Sequence, residues 1–257
     1  MPITTAFPSD GVAVLTLDNP KLRNALTADA RGQLRDALET LRSDISVKAV
    51  VITGAGGHFC AGGDIRTMGE TDLDVIDERM GDVPKPATLI AQFPKPLIAA
   101  VSGHAAGAGV SLACLCDVVV ADESAQFTFS FLRLALGPDW GLSFTLAQRI
   151  GATKARGLIL SRGSIDGGQA HRIGLVDTIS EDGKALETAV DQAARFNDGP
   201  VEATKAVKSM LQDLNGLKAA LEAEAKMQRT RFPAWEHQEG AKAFSEKRSP
   251  DYTKKSD

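Results

Sequence analysis

Apolar positions along the chain fall into two registers. Short runs rich in β-branched residues predict strands at Val12 to Leu17, which ends in the turn Asp18-Asn19-Pro20, and at Lys48 to Thr53, apolar enough to be buried on both faces. Further strands are predicted at Leu97 to Val101, entered between Pro94 and Pro96, at Asp117 to Ala121, at Gln126 to Phe129 and at Leu175 to Ile179. Helical spacing places Leu26, Leu34, Leu38 and Leu41 on one face of a helix capped by Asn24 or Thr27 and running to about Arg42. A second helix is predicted near Ala108 to Cys116. The acidic stretch Thr71 to Lys85 has no periodicity and is expected to be mobile. From Gly141 onward helices dominate, punctuated by Gly151 and Gly163. The composition shifts at Gly199-Pro200, after which Val201 to Leu214 and Leu217 to Arg231 read as amphipathic helices. The expected class is therefore α/β, with a core over 1–197 and a C-terminal helical region over 198–257.

Charge and composition narrow the function classes. With 29 basic and 33 acidic residues the net charge is −4, which gives no case for nucleic-acid binding. No apolar stretch approaches the roughly 20 residues that span a bilayer, and Met1 to Gly11 does not read as a signal peptide, so no membrane partner and a cytoplasmic location are expected. Cys60, Cys114 and Cys116 form no CxxC pair, so they are read as buried thiols and no metal site is expected.

Familiar motifs fail on single positions. Ile52-Thr53-Gly54-Ala55-Gly56-Gly57 follows a strand, but Phe59 stands where a dinucleotide fingerprint needs its third glycine. The only tyrosine, Tyr252, has Ser256 where a Tyr-xxx-Lys pair needs lysine. Gly57 to Gly62 has P-loop spacing, but Gly63 replaces the lysine. Gly109-Val110-Ser111-Leu112-Ala113 approaches a hydrolase elbow, with His171 and His237 downstream, yet Ser111 is expected inside a helix; this remains an alternative.

Two loops carry the chemistry: His58-Phe59-Cys60-Ala61-Gly62-Gly63-Asp64-Ile65 and Ser102-Gly103-His104-Ala105-Ala106-Gly107-Ala108-Gly109. Each follows a buried strand and leads toward a helix. Small residues let backbone amides approach a ligand, and amides at a helix N-terminus suit an anion. Side by side, such loops form either an oxyanion hole of main-chain donors or tight turns that only pack strands on helices; both readings stand on the residues alone.

These segments resemble the crotonase family, the enoyl-CoA hydratase/isomerase superfamily. The similarity lies in Asn19-Pro20-Lys21-Leu22-Arg23-Asn24-Ala25-Leu26, Phe59 to Ile65, Pro94 to Gly103, Gly107-Ala108-Gly109 with Cys116-Asp117, Ala125-Gln126-Phe127, Gly174-Leu175-Val176-Asp177 and Ala243 to Pro250. The resemblance implies a spiral of ββα units with a C-terminal helical region that builds a homotrimer or a dimer of trimers. It implies an acyl-CoA substrate, with CoA arriving as part of the substrate and no separate cofactor. It assigns the thioester oxygen to the amides of Ala61 and Ala108, and places Lys21, Leu22 and Arg23 beside the CoA nucleotide and pantetheine. Ala61, Gly63, Asp64 and Ile65 would line the adenine pocket, and Phe244 and Lys247 would reach a CoA, that of a neighbouring subunit included. Gly107, Phe131 and Trp140 complete the expected binding set.

Two departures decide the expected reaction. The glutamates that hydratases of this family use fall here on Ser111 and Phe131, neither of which exchanges a proton as a carboxylate does. Asp139, in Leu136-Gly137-Pro138-Asp139-Trp140-Gly141, stands where similar isomerases place an acid/base aspartate. Its apolar neighbours would raise its pKa; the competing role is capping the helix that begins near Gly141. His58 and His104 are expected to serve loop polarity, His171 and His237 to lie on the surface, and Asp64 to fix its loop or touch adenine. The expected activity is a double-bond shift in an enoyl-CoA or a related ring rearrangement, with Asp139 moving the proton. The alternatives are a hydratase with a non-standard base, a thioesterase or dehalogenase using Asp139 or Ser111, and a non-catalytic acyl-CoA binder.

Overall fold

The β-branched runs pair into two sheets in the computed structural model, which describes residues 2–253. Along the chain come β1 (Ile3–Ser9), β2 (Val12–Leu17), α1 (Ala28–Ser43), β3 (Ala49–Gly54), α2 (Leu73–Asp82), α3 (Pro84–Ala91), β4 (Leu97–Val101), β5 (His104–Ala106) and α4 (Ala108–Leu115). Then follow β6 (Val118–Asp122), β7 (Gln126–Thr128), α5 (Leu142–Ile150), α6 (Ala152–Ser161), β8 (Ser164–Asp166), α7 (Gly167–Ile173), β9 (Thr178–Ser180) and α8 (Ala185–Ala194). The chain closes with α9 (Val201–Leu211), α10 (Leu214–Arg231) and α11 (Trp235–Ser245).

The larger sheet has the order β1-β2-β3-β4-β6-β9, parallel throughout except for the β1/β2 hairpin. The smaller one is β5-β7-β8. Successive turns of the chain repeat one pattern: a strand in the large sheet, a short extended piece in the second layer, then a helix. β4 is followed by β5 and α4, and β6 by β7 and α5. β3 is followed by Cys60, which bridges to Ala105 of β5, and β2 by Leu26, which bridges to Gly63. This is the spiral of ββα units implied by the resemblance.

Burial explains why the central strands read as unbroken apolar runs. Val50, Ile52, Leu97 and Ala99 face the main core, which Leu34 and Leu38 of α1 also enter. Ala49, Val51, Ile98 and Ala100 face α8, whose Ala185, Ala189 and Ala193 recur every fourth residue. A parallel sheet covered on both sides offers no polar face to alternate. The C-terminal helices return to this core, because Leu217 and Leu221 of α10 are buried in the main cluster.

Several expectations need correction. The stretch 71–85 is not irregular: α2 is capped by Asp72, whose carboxylate accepts the Asp74 N–H at 2.9 Å, and α3 opens on Pro84 at its first turn. The only buried side chain of α2 is Ile76, too few anchors to show a period. The last strand is Thr178–Ser180 rather than Leu175 to Ile179. No run or spacing predicted β1, β8 or α11, and β5 falls where the sequence reads as a glycine- and alanine-rich turn; β1 is an edge strand with only Ile3 buried. Leu26 precedes α1, in its bridge to Gly63, and Thr27 is the cap, accepting the Ala30 N–H at 3.1 Å.

Candidate active site

The two glycine-rich loops are stitched together by backbone. Cys60 donates to the His104 carbonyl at 3.1 Å, and Ala106 donates to the Cys60 carbonyl at 2.9 Å. Contact is so close that a Cβ on Gly62 (φ +89°) would stand 2.5 Å from the Ala106 oxygen and 3.1 Å from the Ala108 nitrogen. Gly107 holds φ 51°, ψ −121°, a conformation left essentially to glycine, and so turns the second loop into α4 with Ala108 at its first position.

Asn24 ties a third segment to this pair. Its buried side chain accepts the Asn19 N–H at 2.9 Å and donates to the Ala55 and His58 carbonyls at 2.8 and 2.7 Å. Arg23 beside it is left-handed, φ 48°, and its carbonyl accepts the Ala61 N–H at 2.9 Å. That bond corrects the expected donor set: the Ala61 amide is already engaged. Among the described residues the Gly63 and Ala108 N–H groups have no internal acceptor, so both are open to an oxyanion.

Both amides belong to residues lining one open cavity of about 420 Å³. Lys21, Leu22, Arg23, Ala61, Asp64, Ile65, Gly107, Phe131, Asp139 and Phe244 line it as well, so most residues singled out in the sequence meet there. Lys247 does not line it, and Trp140 lines an inner cavity instead. Asp64 is pinned by Arg66, 2.9 and 2.8 Å away, and this pairing holds its carboxyl below the usual range. It fixes the turn after the first loop, as expected.

Asp139 stands where the outer cavity meets a narrow inner one, a space of about 30 Å³ walled by Met68, Met80, Leu136, Trp140, Leu221 and Phe232. Its Oδ1 is enclosed and has no hydrogen-bond partner. Burial, and then the nearby Glu224 carboxylate, push its pKa up to about 7, while Arg79 and Arg31 pull the other way. The capping alternative fails. α5 has Gly141 at its cap and takes its carboxylate from α10: Glu224 accepts the Gly141 N–H at 2.7 Å, the Ser143 N–H at 2.9 Å and the Ser143 hydroxyl at 2.6 Å. Trp140 is held at φ 55° and is 2% exposed. A bulky residue in that region costs about 1–3 kcal/mol and persists only where packing enforces it.

The remaining candidates separate cleanly. Ser111 is fully buried inside α4, its hydroxyl donating to the Gly107 carbonyl at 3.4 Å, so no strained nucleophile elbow forms. His58 and His104 lie with ring centroids 5.2 Å apart, outside the cavity lining. Burial and the neighbouring His104 lower the His58 pKa. His171 is exposed, as expected. His237 is not: it is fully buried, its two nitrogens 2.7 Å from the Leu134 oxygen and 2.6 Å from the Met68 oxygen. It thereby joins two walls of the outer cavity. All three thiols are buried and pushed up to about 12.

Sequence reasoning missed Arg79, Glu224 and Gln228. Glu224 and Gln228 fall on the buried stripe Leu217, Leu221, Glu224, Gln228 of α10, and polar residues on an apolar stripe were the available signal. Arg79 lay in the segment without periodicity.

The chain is similar to known proteins along nearly its whole length. The sequence profile of the family described as Enoyl-CoA hydratase/isomerase matches residues 8–255. A probable enoyl-CoA hydratase of Rhodobacter capsulatus is 36% identical over 247 residues, 95% of either chain. A 1,2-epoxyphenylacetyl-CoA isomerase of Escherichia coli is 34% identical over 95% of this chain and 96% of its own. The crystal structure of an enoyl-CoA hydratase from Mycobacterium avium subsp. paratuberculosis superposes with a TM-score of 0.89 over 99% of both chains, at 32% identity.

Proposed function

Because the chain belongs to the enoyl-CoA hydratase/isomerase family, we propose that it moves the double bond of a 3-enoyl-CoA into conjugation with the thioester, with Asp139 as the proton carrier. The thioester oxygen sits between the Gly63 and Ala108 N–H groups. Negative charge that grows on it as the C2–H bond breaks meets two fixed donors, one of them at the positive end of α4, each contributing about 3–4 kcal/mol to the transition state. Asp139 as carboxylate takes the C2 proton, giving a dienolate, and returns a proton to C4 as the neutral acid. No net proton is lost and no second group is needed.

One observation carries this reading: an enclosed, unpartnered Asp139 Oδ1 at the junction of the two cavities, on a carboxyl with a pKa of about 7. A group with that pKa exchanges protons with carbon in both directions near neutrality. Water addition lacks comparable support, because Ser111 is bonded inside a helix and Phe131 is a hydrocarbon wall.

CoA would lie along the outer cavity, its anionic end near Lys21 and Arg23, with Phe244 closing over it. We also propose the homotrimer, or pair of trimers, that the family resemblance implies; Val207, Met210 and Leu211, 54%, 82% and 82% exposed on α9, offer an apolar surface for such contacts. Sedimentation equilibrium of the pure protein checks that assembly.

The activity is tested by incubating the protein separately with 2-enoyl-CoA and 3-enoyl-CoA and following hydration, isomerisation and free thiol. Isomerisation of 3-enoyl-CoA that disappears in Asp139→Asn is the expected result. Release of free thiol would instead favour a hydrolase, and hydration without isomerisation a hydratase; either outcome overturns the proposal, as does full activity in Asp139→Asn.

A further inference from the structure

Two polar groups facing the inner cavity are left incomplete in complementary ways. Gln228 is 5% exposed; its Nε2 donates to the Gly137 carbonyl at 3.0 Å, which fixes the amide orientation and leaves Oε1 as a buried acceptor with no donor. Arg79 directs its Nη1 to the carbonyl and hydroxyl of Thr67 at 3.2 and 2.9 Å, while its Nε and Nη2 have no acceptor among the described residues. Its guanidinium lies 5.0 Å over the Phe232 ring, and Phe232 follows Gln228 by one helical turn. Acceptor and donors therefore reach the same inner cavity from two helices, Arg79 from α2 and Gln228 from α10. Arg79 also comes close to the first catalytic loop, with Nη2 3.7 Å from where a Gly63 Cβ would stand.

The surroundings say which ligand group fits. A hydrocarbon tail leaves the Gln228 oxygen unpaired in a cavity whose other walls are largely apolar, a penalty of the kind that makes polar pockets reject apolar analogues. A terminal carboxylate satisfies Arg79 but offers no donor to Gln228, and it approaches two acidic side chains, Asp139 and Glu224. A hydroxyl meets both needs, accepting from Arg79 and donating to Gln228.

We propose that the inner cavity selects acyl-CoA substrates bearing a hydroxyl on the distal part of the acyl group, beyond C3, with Arg79 and Gln228 as the specificity-determining pair. This rests on the acyl-CoA reading above, but its test does not depend on turnover. Hexanoyl-CoA, 6-hydroxyhexanoyl-CoA, 8-hydroxyoctanoyl-CoA, octanoyl-CoA and adipoyl-CoA are titrated into the full-length protein by calorimetry. The hydroxylated member of at least one matched pair is expected to bind about tenfold more tightly than its unsubstituted counterpart, the worth of one to two buried hydrogen bonds. In Gln228→Met and Arg79→Met that preference is expected to fall below about twofold while hexanoyl-CoA affinity stays within about threefold, which also reports that the variants fold. Equal affinity within both pairs, tighter binding of adipoyl-CoA, or a preference that survives both substitutions overturns the inference and leaves the isomerase reading intact. Should the variants not fold, the wild-type pairs decide alone. Failure of every acyl-CoA to bind would sink both.

Discussion

Replacing Asp139 with asparagine separates the cost of its charge from its use. The folded carboxyl titrates at about 7 against an ordinary 3.8, so it holds its proton to higher pH in the folded than in the unfolded chain. Its favourable contribution is complete below the unfolded value and is lost as pH rises through about 7; above that the fold carries an unpaired, enclosed charge. About three units at 1.36 kcal/mol each set an upper limit near 4 kcal/mol. Asp139 is half-buried and faces a cavity, so screening removes roughly half, leaving about 2 kcal/mol. For a chain of this size that is about 4–8 °C in Tm. The asparagine side chain is neutral at every pH, so the variant's Tm minus that of the wild type should be small below about pH 4, widen steadily between the two pKa values and reach this amount by about pH 8. Thermal unfolding across that range, at one protein concentration, reads it directly. Any fixed cost of the new amide shifts all points equally and leaves the slope intact. A gap that does not widen with pH would refute the claim that Asp139 is a desolvated, unpaired acid. In the same series, wild-type kcat/KM on 3-enoyl-CoA should rise with pH around a midpoint near 7, and the variant should lose about 10²–10⁴-fold.

Three further outcomes follow from the same geometry. Gly62→Ala should cost at least about 10²-fold in kcat, because its Cβ would force Ala106 and Ala108 away from Gly63; steady-state kinetics with unchanged CoA affinity would show it. Glu224→Gln removes the neighbouring negative charge that raises Asp139, so the kcat/KM midpoint should move to lower pH. The weaker cap on α5 should also lower stability by about 1–3 kcal/mol in urea unfolding. His237→Phe removes the imidazole between the Leu134 and Met68 carbonyls, one of which the neutral ring supplies with a donor; a loss of about 1–3 kcal/mol is expected, and a variant as stable as the wild type would remove His237 as the pin between the cavity walls.

The local grammar of the chain determined the α/β class and half of the site, while the spiral was implied by the family resemblance. β3 and β4 are buried on both faces, so their apolar runs could be nothing but central strands, and the loops after them advertised close backbone approach through their small residues. Asp139 stood out because a carboxylate among Phe129, Phe131, Leu136 and Trp140 has nowhere polar to go. Three things waited for the tertiary structure. Which amide on the first loop is open depended on Arg23, whose carbonyl engages Ala61 from a segment 38 positions away and leaves Gly63 free. Whether Asp139 caps α5 depended on Glu224, which reaches that helix from α10. The polar lining of the inner cavity depended on α2 and α10 meeting, where Asp77 and Arg229 pair at 2.5 Å. The physical reason is common to all three. A residue's own neighbours set its backbone and its burial tendency, but whether a donor or acceptor is already satisfied is decided by partners brought from far along the chain, and it is the unsatisfied groups that do the chemistry.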